Sequence, residues 1–60
     1  MTHVLILEDQ VVSREALIAI LNGVSEQLLI SEAGTLEEAR ALLDLDVRYD
    51  LFLLDINLNI

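Results

Sequence analysis

Cysteine is missing from this sequence altogether, so neither disulfides nor a thiolate metal site can staple the fold. Lysine is missing as well. The 3 basic residues are all arginines (Arg14, Arg40 and Arg48), set against 11 acidic residues for a formal net charge of -8. A chain this acidic repels DNA and RNA, because neutralised phosphates provide most of the affinity for nucleic acid. The three arginines are scattered and read as residues of solvated faces. Proline is absent too, and with lysine it is one of the residues that blunt an exposed strand edge. No apolar run approaches the ~20 residues of a membrane span, and no basic stretch leads into a hydrophobic signal core. These absences give the expectation of a cytoplasmic protein that binds neither membrane nor nucleic acid directly.

Apolar surface, by contrast, is plentiful: 55% of the 60 residues are hydrophobic, and the mean hydropathy is +0.60. That excludes a disordered chain. A chain of this length nevertheless buries only ~60% of the surface its unfolded form exposes, so its margin of stability is thin. There is no linker, repeat or low-complexity tract.

The segment "HVLIL" (His3 to Leu7) is apolar without alternation, as a strand buried on both faces should be. After "EDQ", a helical pattern runs from about Gln10 to Asn22, with Ala16, Leu17, Ile20 and Leu21 on one face. Gly23 stands where helix C-termini commonly take a left-handed residue. "QLLISEA" (Gln27 to Ala33) reads as a second strand, after which Gly34 turns the chain. Thr35 and Glu38 then form a capping box for a helix that reaches Leu43 or Leu45 and buries Ala39, Leu42 and Leu43. "YDLFLLD" (Tyr49 to Asp55) is a third strand, apolar on both faces. Strands alternating with helices across short connections predict right-handed crossovers and a doubly wound parallel α/β sheet.

In such sheets, sites form at the carboxyl ends of the strands. Glu8 and Asp9 follow the first strand and Asp55 ends the third, so the three converge if those strands are neighbours. Clustered carboxylates repel one another and persist where a cation offsets them. Carboxylates, a backbone carbonyl and waters suit magnesium. A carboxylate can also act as nucleophile toward a phosphoryl group. The plain alternative is a set of solvated loop acids, with Asp9 as the N-cap of the first helix.

"VLILEDQ", "EAGTLEEARALL" and "DLFLLDINL" resemble, in order and spacing, the first half of a bacterial response-regulator receiver domain of the CheY-like type. The resemblance spans residues 1–60, as a partial receiver domain with strands one to three and helices one and two. It implies a flavodoxin-like sheet of strand order 2-1-3 and a role in two-component phosphorelay signalling, as a phospho-acceptor and not an enzyme. By that resemblance Asp55 accepts the phosphoryl group from a histidine kinase or histidine phosphotransfer protein. Glu8, Asp9 and Asp55 hold magnesium, together with the backbone carbonyl of Asn57. Val11 and Ile18, placed by the helical wheel outside the buried stripe, become candidates for the face that docks the phosphodonor.

Several positions depart from the family pattern. Glu8 replaces a more frequent aspartate, Leu36 stands where glycine is common, and Asn59 where proline often follows. Receivers also use a serine or threonine ending a fourth strand and a lysine ending a fifth. This chain has no lysine, and its threonines are Thr2 and Thr35. The segment is therefore expected to be inactive in phosphorylation by itself. With no fourth strand beside the third, it is also expected to self-associate or to need a complementary C-terminal half. Two other readings stand beside this one. The first is a binding or assembly module that keeps the fold without phosphorylation. The second is part of a magnesium-dependent aspartate phosphohydrolase, which more usually has a second aspartate where Asn57 stands. His3, Tyr49 and Phe52 read as structural residues of their strands.

Overall fold

The N-terminal apolar run becomes the middle of a sheet. The computed structural model of the protein describes residues 1–24 and 27–55. Its elements are β1 (Thr2–Leu7), α1 (Val11–Val24), β2 (Leu28–Ala33), α2 (Leu36–Leu43) and β3 (Leu51–Leu54). The strands form one parallel sheet in the order β2-β1-β3, the arrangement of the first β-α-β-α-β portion of a flavodoxin-like fold. β1 pairs with β2 from Thr2↔Leu28 to Leu7↔Ala33, and with β3 from Val4↔Leu51 to Leu7↔Leu54.

Among the described strands only β1 is paired along both edges, and this is why Val4, Leu5, Ile6 and Leu7 are all buried in succession. Each such side chain contributes about 1.5–3 kcal/mol relative to exposure. β3 does not meet the expectation of burial on both faces. Leu51, Phe52 and Leu54 are exposed and Leu53 is half-buried, because β3 is an edge strand among the described residues. β3 is also shorter than the expected span from Tyr49 to Asp55. The aspartates at its two ends extend the pairing instead: Asp50 N–H donates to His3 O at 2.8 Å, and Asp55 N–H to Leu7 O at 3.0 Å.

Successive residues of β2 point to opposite faces, and Glu32 bonds Arg14 of α1 while Ala33 packs on Ala39 of α2. Leu7 and Ala33 meet Ala39 of α2, with Leu42 packed against them. Leu43, expected in this core, is exposed, since it sits one residue round the helix from Leu42. The capping box of α2 is present: Thr35 Oγ1 accepts from the Glu38 N–H at 3.1 Å. The Glu38 carboxylate in turn accepts from the Gly34 N–H at 3.2 Å.

α1 differs from expectation in two ways. It continues through Gly23 to Val24, and no described glycine has a positive φ, so Gly23 is not a left-handed cap. Its half-buried stripe is Arg14, Leu17, Ile18 and Leu21, with Ser13 beside it, whereas Ala16 and Ile20 are exposed. The phase is set by Arg14, which reaches the ends of β1 and β2 and turns its own face of the helix inward. At the opposite end of the sheet, His3 contacts Ser31 Oγ through Nε2 at 2.8 Å. Its ring packs 4.2 Å from that of Tyr49, which lies 5.8 Å from Phe52. No helix among the described residues is long and apolar enough to cross a membrane.

Candidate metal centre

β1 and β3 are adjacent and parallel, so their carboxyl ends meet. The register that places Leu7 beside Leu54 brings the next residue of each strand, Glu8 and Asp55, to the same level. Backbone bonds fix both: Glu8 N–H donates to Ala33 O at 3.0 Å, and Asp55 N–H to Leu7 O at 3.0 Å. Asp9 follows in the loop that leads to α1. One carboxylate oxygen from each of Glu8, Asp9 and Asp55 lies within 4.8 Å of the others. Glu8 is buried, Asp55 half-buried and Asp9 exposed. A cleft of about 240 Å³ opens beside them, and Leu17 and Leu53 form part of its wall.

Burial pushes the Glu8 carboxyl above the usual carboxylate range. A hydrogen bond with Asp55 and the negative charges of Asp55 and Asp9 add to the rise. The Gln10 N–H, which donates to Glu8 Oε1 at 3.2 Å, pulls the other way by favouring the ionised form. The site therefore concentrates negative charge, which shifts Glu8 toward its protonated form relative to a free carboxyl. An all-oxygen donor set that bears such charge fits a hard divalent cation, which would offset it.

The three expected acids thus come together. Asn57, the fourth expected ligand, lies outside the described residues. Val11 is exposed at the start of α1, whereas Ile18 belongs to the half-buried stripe with Arg14 and Leu21. Ile18 is therefore partly covered, on the side of the helix that carries Arg14 toward the sheet.

Arg14 is the residue that sequence reasoning missed. Instead of lining a solvated face, it donates from Nη1 to Glu8 O at 2.7 Å and from Nε to Glu32 Oε1 at 3.2 Å. The available signal was its spacing, at three, four and seven residues before Leu17, Ile18 and Leu21. No protein-family model, curated protein or solved structure matches the chain.

Proposed function

We propose that this chain forms the first part of a phosphoryl-accepting signalling domain, similar to a response-regulator receiver, with Asp55 as the acceptor. The observation that carries the proposal is the convergence of Glu8, Asp9 and Asp55 at the carboxyl ends of β1 and β3. In this reading Glu8, Asp9 and Asp55 hold magnesium. When bound, the metal offsets charge that develops on the transferring phosphoryl oxygens. An Asp55 oxygen attacks phosphorus, the bond from phosphorus to the donor's imidazole nitrogen breaks, and the imidazole leaves with the electron pair. Glu8 and Asp9 keep the acceptor end of the sheet acidic and oxygen-lined. The donor is a histidine kinase or histidine phosphotransfer protein, with the exposed Val11 beside the site as a contact. A cytoplasmic location goes with this role.

Transfer also calls for cationic and hydroxyl contacts to the phosphoryl oxygens, contributions commonly worth several kcal/mol of barrier. No lysine is present to make them. The expected result is therefore weak labelling of the 60-residue chain by a small phosphodonor. When the second half of a receiver is supplied, labelling is efficient and Asp55→Asn abolishes it. Labelling that survives Asp55→Asn in the completed protein refutes the assignment.

A second reading, an assembly module that uses this fold without phosphorylation, is favoured by the exposure of Leu51, Phe52 and Leu54 on β3. Phosphate on Asp55 separates the two.

A further inference from the structure

Arg14 lies next to the carboxylates without being one of the groups that would touch a cation. From the first turn of α1 its guanidinium spans two strands, bonding Glu8 O at 2.7 Å and Glu32 Oε1 at 3.2 Å. The Glu8 carbonyl is one residue past the last β1–β2 pair, Leu7 and Ala33, so a side-chain donor stands there in place of the ladder. That carbonyl belongs to the planar peptide that joins Glu8 to Asp9. A short, charge-assisted bond to it fixes the plane from which both carboxylates project.

Gly34 belongs to the same arrangement. A Cβ at this position would lie 2.7 Å from Arg14 Nη1 and 3.6 Å from Cζ. No described glycine has a positive φ, so backbone conformation does not call for glycine here; an added Cβ would instead push the flexible end of Arg14 off its present position. Lysine could not make both contacts, because they use two nitrogens of one planar fork.

We propose that Arg14 is a positioning residue for the carboxylate cluster, with Gly34 keeping its path clear. This rests on the cation-binding reading of Glu8, Asp9 and Asp55. Charge and geometry predict opposite signs for the loss of Arg14. If only its charge mattered, its removal would tighten binding of a divalent cation by relieving repulsion. If it positions the ligands, removal weakens binding, as loss of an outer partner of a metal ligand commonly does by 10–100-fold. Pairing with Glu32 mutes the repulsion, so geometry should win.

The test is a magnesium titration, followed by amide shifts, of the 60-residue chain and its Arg14→Gln, Arg14→Lys and Gly34→Ala variants. Leu28→Ala serves as a control that loosens half-buried packing beside Thr2, at the end of the β1–β2 ladder opposite the carboxylates. Arg14→Gln and Gly34→Ala are expected to weaken binding about tenfold or more, while Leu28→Ala leaves it unchanged. Arg14→Lys, which keeps the charge and most of the stem, replaces Arg14→Gln if that variant does not fold, and it too should bind more weakly. Unchanged or tighter binding in a folded Arg14 variant overturns the proposal. If the unmutated chain does not respond to millimolar magnesium, the cation reading fails by itself. The positioning role is then decided by the solution structure of an Arg14 variant: dispersed carboxylates support it, and carboxylates that still converge overturn it.

Discussion

Asp50 and His3 exchange two hydrogen bonds across β3 and β1: Asp50 N–H donates to His3 O at 2.8 Å, and His3 N–H donates to Asp50 Oδ2 at 2.8 Å. The pair pins the register of β3 from the end opposite the carboxylates. A slip of one residue would turn Asp55 to the other face of the sheet. Asp50→Ala is therefore expected to lower stability by about 0.5–1.5 kcal/mol, the usual net worth of one hydrogen bond. Urea unfolding measures it, and a variant as stable as the parent rules out the pin.

Glu8 gives a pH dependence of definite sign. Its folded-state carboxyl is raised, first by burial and then by Asp55 and Asp9. The stability associated with it is complete below the ordinary carboxylate range and is lost as pH rises through the raised folded value. Glu8→Gln removes that loss. Without metal, the variant should melt higher than the parent at neutral pH, with the difference shrinking under acid conditions. Thermal melts across pH check this, and a Glu8→Gln chain that melts lower at neutral pH contradicts it.

Magnesium should stabilise the fold. At ten times its dissociation constant, a ligand specific for the native state adds about 1.4 kcal/mol. For a chain of this size that raises Tm by several degrees. Asp9→Asn and Asp55→Asn should each remove most of the gain, since both carboxylates belong to the cluster. A rise of equal size in both variants would place the cation elsewhere.

The outer side of β3 predicts self-association. Leu51, Phe52 and Leu54 are 44%, 47% and 60% exposed, and among the described residues that edge pairs with no strand. β3 has neither proline nor lysine to discourage a partner. A second copy paired there should make Tm rise with protein concentration, and Leu51→Lys should yield a monomer. Sedimentation equilibrium decides it; a monomer at all concentrations sinks the idea.

The sheet and the carboxylates were legible in the sequence because their signals are local. The unbroken run Val4 to Leu7 marks a central strand, Thr35 and Glu38 mark a helix start, and acids at two strand ends mark a site. α1 was harder to phase, since "VVSREALIAILNGV" is apolar on nearly every side and its wheel can be turned several ways. What fixes it is the reach of Arg14 to Glu8 and Glu32, a polar contact that apolar periodicity does not encode. Gly23 misled because a glycine near a helix end need not adopt a positive φ. Burial of β3 depends on what lies beyond its outer edge, and no residue within the strand records that.

The uneven pairing of the sheet has a consequence for local opening. β1 and β2 share six register positions and a helix packed on each face, whereas β1 and β3 share four, with most of β3 exposed. Segments with few buried contacts open at lower free energy than the rest of a fold. Detachment of β3 alone would carry Asp55 away from Glu8 and Asp9 while leaving the β1–β2 pairing and both helices in place. A cation gripped by all three acids would thus act as a latch on the loosest strand, and amide exchange of Leu51 to Leu54 would slow when it closes.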